Sequence, residues 1–551
     1  MVSETTLKWP ERSFDREFFP NAWRDIGGNF FPLERLNMIP MNRLNKWFLL
    51  AAFFAGAASE THAQTFVRTP FLQKGSYNKS EVCWRISAAA SLTVKYGTDS
   101  TNLTYATTPS YDSTDGCAAM DSTKLQPATK YYYQVYNGST LLPGEPGQYF
   151  ITAPLVGARN QYKFWIIGDA GQGSIDQYQV KNGFLKVNQG THVDGFLMLG
   201  DNAYTSGTDA QFTTNLFDVY PEIMANTFSW PCIGNHEVSS VATGAPYLNS
   251  FDMPTAGQSG GVASGQKLYY SFDYGNIHFI ILDSQISSRA VGGPQWDWLQ
   301  QDLEATRQDW IVAYWHHPPY SFSGHNSDNE QQLIDMRQNF CPLLEQYGVD
   351  MLFAGHSHDY ERSFLIDSAY GNSTSNIANA ATEIKDNSSG NPATTGPYRK
   401  ASIKGANQGA VYMVAGTGGG ALDAGTLHPV MYTQHTMFGF VLMTVKDTVA
   451  TTQFYDSTGA LVDQYQIVKT RGVSTALGRP GLKQNQMNFL QMGRHFQFST
   501  NNSAPFRVYS LAGNLMSREI PRGSWDADPK TLPSGVYYFR YGAQFGKISL
   551  P

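Results

Sequence analysis

Between residues 160 and 360 an apolar run breaks off five times into a polar cluster: KFWIIG into DAGQG, FLMLG into DNAYT, FSWPCIG into NHE, WIVAYW into HHPPYS, and DMLFAG into HSHDYER. Runs with so few polar interruptions read as strands buried on both faces. Helical patterns alternate with them: one near 176 to 189, one opened by Pro294 and running through WDWLQQDLEATR, and one in QQLIDMRQNFCPLLEQYG. Residues 155–469 are therefore expected to form an α/β domain of two β-sheets flanked by helices. In such sheets ligands bind at the carboxyl ends of the strands, which is where all five polar clusters fall.

The flanking segments have a different texture. Residues 64–154 carry short β-type runs, EVCWRI, SLTVKYG and KYYYQVY, broken by Gly, Pro, Asn and Asp, and predict a small β-sandwich. A linker at 470–484 leads to a small all-β segment at 485–551, with FRVYSLAGNLMSRE, LPSGVYYFRYG and FGKISLP. The Asn-, Ser- and Gly-rich stretch at 367–408 has no helical period and predicts a long loop forming a rim over the strand ends. TGGGAL at 417 lacks the Lys and Ser/Thr of a phosphate-cradling loop and reads as a tight turn. At 41–63, MNRLNKWFLLAAFFAGAASETHA has the basic start, short apolar core and small-residue end of a secretory signal peptide. Its core is too short for a comfortable membrane span, so no transmembrane anchor is expected after its removal. Residues 1–40 show no such pattern and read as an upstream extension arising from a start-site artefact.

The chain has 551 residues and a net charge of −6, without clustered positive charge, so no nucleic-acid-binding module is expected. Its four cysteines have no CxxC spacing, which disfavours zinc ribbons and thioredoxin-like redox chemistry. Whether Cys83 and Cys117 pair is open; an exported protein would allow it.

The five strand ends supply Asp169, Asp201, Tyr204, Asn235, His316, His356 and His358. Carboxylate, phenol, amide oxygen and imidazole suit borderline to hard first-row metals. Seven such ligands exceed one tetrahedral ion and fit two ions sharing one carboxylate. Two cations about 3.5–4 Å apart clamp the attacking and leaving oxygens of an in-line displacement at phosphorus.

The series GDAG, GDNAY, GNHE, HHPPY and GHSHDYER resembles that of the metallophosphoesterases, and specifically of the purple acid phosphatases. The resemblance implies that Asp169, Tyr204 and His358 hold ferric iron, that Asn235, His316 and His356 hold a divalent iron, zinc or manganese ion, and that Asp201 bridges them. It further implies that His236 contacts the substrate phosphate and that His325, in SFSGHNS, is a second catalytic histidine. The implied activity is that of a secreted acid phosphatase, which hydrolyses phosphate monoesters by in-line attack of a metal-bound hydroxide. A phosphodiesterase or nucleotide hydrolase on the same centre, or an inert surface-binding module, are the alternatives. His317 competes with His316, the preferred ligand. Glu361 and Arg362 are expected to brace their loop as an ion pair, and His192, His278, His428 and His435 to be structural. LQPATKYYYQV resembles part of a fibronectin type III-like domain. The tail, with VYSLAGN and LPSGVYYF, resembles the sorting domain of type IX secretion cargo, which implies the secretion machinery as a partner and passage through the periplasm to the exterior or cell surface.

Overall fold

The structure, a computed structural model, describes residues 64–109, 113–373, 383–471, 489–492, 494–498, 506–510, 515–519, 524–541 and 544–550. The signal-peptide reading, the extension before it and nearly all of the 470–484 linker lie outside the described residues. The chain divides into Met1–His62 and Ala63–Pro551, and all that follows concerns the second unit.

Two seven-stranded sheets occupy the middle of the chain. The first is ordered Ser229–Pro231, Gly195–Met198, Gln161–Ile167, Gly439–Lys446, Val449–Asp456, Leu461–Lys469, Tyr398–Lys400. The second is ordered Tyr270–Tyr274, Ile277–Ile281, Trp310–Tyr314, Met351–Ala354, Val411–Ala415, Tyr360–Ser363, Met431–His435. In the first sheet the strands at 161–167, 195–198 and 229–231 run parallel, and in the second those at 277–281, 310–314, 351–354 and 411–415.

Successive strand residues point to opposite faces, and both faces of Gln161–Ile167 are used. Phe164 meets Phe279 of the other sheet with ring centroids 4.7 Å apart, while Trp165 stacks at 4.2 Å on Phe184 of the helix Ile175–Asn188. Trp230 on Phe272 at 3.9 Å and Tyr360 on Phe454 at 4.0 Å extend the core between the sheets. Outside the second sheet the helix Pro294–Ala305 buries Trp296, Leu299 and Leu303 in the cluster that contains Ile280 and Ile311. Each such side chain removed from water contributes about 1.5–3 kcal/mol. The result is helix, sheet, sheet, helix, with both sheets flanked as the uninterrupted apolar strands require.

Residues 66–151 form a three-stranded and a five-stranded sheet, and the described strands between 489 and 550 form a three-stranded and a four-stranded sheet around Phe496, Phe506, Phe539 and Tyr541. The amino-terminal sheets dock through buried polar contacts: Arg68 donates to Thr213 at 2.9 Å and Ser250 at 3.0 Å, and Tyr133 donates to the Ala225 carbonyl at 2.8 Å. Among the described residues no helix is long and apolar enough to cross a membrane.

Cys83 and Cys117, directly opposed on antiparallel strands, form a disulfide across a sequence separation of 34 residues, whereas Cys232 and Cys341 are free and buried. Closing a loop of that length is worth about 3–4 kcal/mol in the chain-entropy account. The double variant Cys83→Ser/Cys117→Ser is expected to lose about that much stability in chemical denaturation; an unchanged midpoint would show the sheets independent of the cross-link.

The 367–408 stretch divides: at its start the Ser373 N–H donates to Asp328 Oδ1 at 3.1 Å, in the loop that carries His325, whereas its later part departs from the expected place. Tyr398–Lys400 adds a parallel strand to the edge of the first sheet beside Leu461–Lys469, and Lys400 Nζ reaches Asp350 Oδ1 at 2.7 Å. Lys469 Nζ takes the other oxygen of Asp350, also at 2.7 Å. Asp350 precedes the strand Met351–Ala354, so the described part from 383 onward closes the end of the sheets opposite the motif loops. A buried ammonium needs a carboxylate, and Asp350 draws this later part of the segment there. Residues 374–382 lie outside the described residues.

Candidate active site

The parallel strands of both sheets end on one edge, and their loops interlock there. Gly168 donates its N–H to Ala415, and Gly355 to His316, both at 2.9 Å. Asp169, Asp201 and His356 adopt left-handed backbone, with φ of 57°, 50° and 71°. A non-glycine residue there costs about 1–2 kcal/mol, and such strain gathers at functional sites.

The glycines that open the motif loops have a steric reason. A Cβ on Gly234 would lie 2.2 Å from Asp201 Oδ1, and one on Gly355 would lie 2.4 Å from Asp169 Oδ2. Gly234 and Gly355 therefore vacate the space that a carboxylate of another motif fills, and Gly200 leaves room for the His316 ring, whose Nδ1 a Cβ would approach to 2.6 Å.

Two groups of donor atoms result. In the first, Tyr204 Oη donates to Asp169 Oδ1 at 3.1 Å and lies 3.0 Å from His358 Nε2, which is 3.5 Å from Asp169 Oδ1. In the second, His316 Nε2 lies 2.9 Å from Asn235 Oδ1 and 3.3 Å from Asp201 Oδ2. The side chains of Asp169, Asp201 and His316 converge within 4.8 Å, so the groups adjoin. His316 Nδ1 faces the Leu199 carbonyl at 2.9 Å and His358 Nδ1 the Ala421 carbonyl at 2.6 Å. A carbonyl accepts only from a protonated nitrogen, so in each neutral ring the Nε2 lone pair turns toward oxygens that are themselves acceptors.

Lone pairs packed this densely are held by protons or by cations. Burial pushes the imidazoles down, yet Asp201 and Asp169 outweigh it at His316, held up at about 10, and Asp169 does so at His358, held up at about 9. Burial likewise would raise Asp201, but His316 and His236 hold it well below the usual carboxylate range. The donor set and its charge fit two hard or borderline cations.

His356 joins through its backbone, whose N–H donates to Asp169 Oδ2 at 2.9 Å; its ring lies 4.9 Å from that of His316, and its Nε2 faces Glu330 Oε2 at 3.6 Å. His317 turns away, its Nδ1 2.7 Å from Ser284 Oγ, so His316 is the member of the pair at the cluster. His236 Nδ1 faces the Thr205 carbonyl at 2.6 Å, its Nε2 lies 3.8 Å from Asp201 Oδ2, and its side chain is 32% exposed. His325 lies at the rim, its ring stacked on His356 at 3.5 Å. His192, His278, His428 and His435 stay outside: His278, for example, is locked between Asp273 and Asp302, at 2.8 Å from each.

Glu361 and Arg362 do not pair. They are neighbours on the strand Tyr360–Ser363 and so face opposite ways: Arg362 forks onto Asp463 at 2.6 and 2.9 Å, and Glu361 accepts from Ser321. TGGGAL is more than a turn, because Gly418 donates to the Gly168 carbonyl at 3.0 Å and Gly420 to the Asp169 carbonyl at 2.8 Å, bracing the Asp169 loop.

Two carboxylates were not singled out in the sequence. Glu237, fully buried, accepts from the N–H groups of Asp201 at 3.0 Å, Asn202 at 2.7 Å, Ala203 at 3.1 Å and Gly234 at 2.6 Å. Burial and the charge of Asp201 push its carboxyl up. Glu330 accepts from His325 Nδ1 at 2.9 Å and from the Asn326 N–H at 2.8 Å. The one available signal for Glu237 was its place in GNHE; Glu330, in the loop SDNE, carried none.

Residues 162–360 match the family described as calcineurin-like phosphoesterase. The chain is 30% identical over 292 residues to the phosphoenolpyruvate phosphatase of Allium cepa, covering 50% of this chain and 55% of that one. It is 28% identical over 275 residues to the Fe(3+)-Zn(2+) purple acid phosphatase 12 of Arabidopsis thaliana, covering 47% and 54%. The chain thus spans about half the length of the curated relatives it matches. Its fold is similar to that of a purple acid phosphatase from yellow lupin seeds, with a TM-score of 0.58, 19% identity, and coverage of 73% of this chain and 74% of that one.

Proposed function

We propose that the protein is a metal-dependent phosphatase of the purple acid type that hydrolyses phosphate monoesters at a dinuclear centre. The observation that carries the reading is the pair of adjoining donor groups, Asp169, Tyr204 and His358 beside Asn235 and His316, with Asp201 reaching the second and His356 alongside. The first group would hold ferric iron, the second with His356 a divalent iron, zinc or manganese ion, and Asp201 both. Such an ion pair, when bound, supplies the activation of water for in-line attack and neutralises charge on the phosphoryl oxygens.

The phenol gives the ferric assignment its physical basis. Burial, then Asp169 and Asp201, push Tyr204 well above its ordinary value, so only a strongly Lewis-acidic neighbour would ionise it. His236 anchors its Nδ1 on the Thr205 carbonyl and leaves Nε2 to bind a phosphoryl oxygen. His325, at the rim, would protonate the leaving alkoxide, a role suited to imidazole.

The metal-replete protein is expected to hydrolyse an aryl monophosphate faster than the corresponding bis-aryl diester; the reverse order would overturn the monoesterase reading. A ferric tyrosinate predicts a broad visible absorption that vanishes in Tyr204→Phe. A colourless, active, all-zinc protein would refute the ferric assignment.

We read residues 64–154 as a fibronectin type III-like domain and 485–551 as a sorting domain addressed to the type IX secretion machinery, in a protein exported through the periplasm. The Cys83–Cys117 disulfide supports export, because such bonds persist in oxidising compartments.

A further inference from the structure

We propose that Glu330 is a positioning residue that ties the leaving-group imidazole His325 to the metal ligand His356; the proposal rests on the phosphatase reading above. One carboxylate oxygen, Oε2, faces both rings, 2.9 Å from His325 Nδ1 and 3.6 Å from His356 Nε2. The other, Oε1, accepts from the Asn326 N–H at 2.8 Å. The two imidazoles stack with centroids 3.5 Å apart and planes 24° apart. Neither ring can turn without moving the other, and His325 would also break its hydrogen bond to Glu330.

The support continues behind the carboxylate. Glu330 sits at the N-cap of the helix Gln331–Asp335, and its own N–H donates to the Asn326 carbonyl at 3.1 Å. The loop that carries His325 is held from below by Arg337, which is 1% exposed and donates to the Pro319 carbonyl at 3.0 Å and to that of Ser327. The geometry has two consequences. Through His325, Glu330 engages Nδ1–H, so that in the imidazolium form the proton available to the leaving group is the one on Nε2, which is presented outward. Through His356, it orients a ligand ring as carboxylates behind metal-bound histidines do. The rim imidazole and one metal ligand thereby share a single anchor.

The isosteric change Glu330→Gln separates these effects from bulk. An amide has one oxygen, so if it keeps the Asn326 bond, its NH2 group faces the donor Nδ1–H of His325. With an aryl monophosphate at saturating zinc, the variant is expected to lose about 10–100-fold in kcat, with KM little changed. The metal-free protein titrated with zinc is expected to show about 10–100-fold weaker binding at one of two sites. In a His325→Ala background, adding Glu330→Gln should lower kcat no further, yet still weaken zinc.

A Glu330→Gln variant with wild-type kcat and wild-type zinc affinity, measured on protein whose parent is active, would overturn the proposal. So would a full additional loss of kcat in the double variant, because Glu330 would then not act through His325. An inactive parent would instead remove the phosphatase reading, leaving the zinc titration as an independent test of the Glu330–His356 contact.

Discussion

Replacing Asp201 with asparagine is expected to lower kcat by about 10³-fold or more, a loss of roughly 4 kcal/mol of transition-state stabilisation. The metal content should fall from two ions per chain to one or none. Asp201 is 1% exposed, and its two oxygens do different work: Oδ1 accepts from the His236 N–H at 2.9 Å, and Oδ2 faces His316 Nε2 at 3.3 Å. Asparagine preserves the shape but removes the charge and turns one oxygen into a donor, which cannot bridge cations. Elemental analysis with steady-state kinetics checks both halves, and far-UV circular dichroism shows whether the fold is retained. A folded Asp201→Asn protein that keeps two ions and parental activity would remove Asp201 from the centre.

Glu237→Gln is expected to destabilise the protein by about 2–6 kcal/mol and to weaken metal binding and activity by about 10–100-fold. Each Glu237 oxygen accepts two backbone N–H groups, Oε2 from Asp201 and Gly234 and Oε1 from Asn202 and Ala203. With an amide in this place, two buried N–H donors face an NH2 group, whichever way the side chain is turned. Each unsatisfied donor costs about 1–3 kcal/mol, and the loop released is the one that presents Asp201 and Tyr204. Denaturant titration reads the stability, and zinc titration of the metal-free protein reads the site. Parental values in both would show that the four bonds are incidental.

The positions that could be read from the chain were those where one residue carries both a structural and a chemical signature. An apolar run ending in Asp169, Asp201 or His356 announces a strand and a ligand together. Partnerships between distant loops left no such mark. Arg362 and Asp463 are 101 residues apart, and nothing local to the strand Tyr360–Ser363 tells that its arginine turns from Glu361 to a strand of the other sheet. Glu237 was visible as a residue, but its partners are backbone N–H groups, which every residue but proline has. The polar composition of 367–408 made a surface loop a fair inference, yet the place of its later part depends on Lys400 finding Asp350, a buried pair invisible to composition. The glycines were legible as punctuation only. That Gly234 leaves room for Asp201 becomes apparent once the two loops are seen side by side.

The division of the donor atoms between the two sheets has a mechanical consequence. Asp169 and Tyr204 follow strands of the first sheet while His358 follows one of the second, and Asn235 likewise faces His316 across the boundary. Each cation would therefore act as a rivet through the seam of the sandwich. Occupancy and cohesion become one linked equilibrium, in which an ion at a hundred times its dissociation constant adds about 2.7 kcal/mol to the assembled state. Chelation should accordingly lower the melting temperature and open the seam to proteases, so that heat resistance alone would report the metal status of the chain.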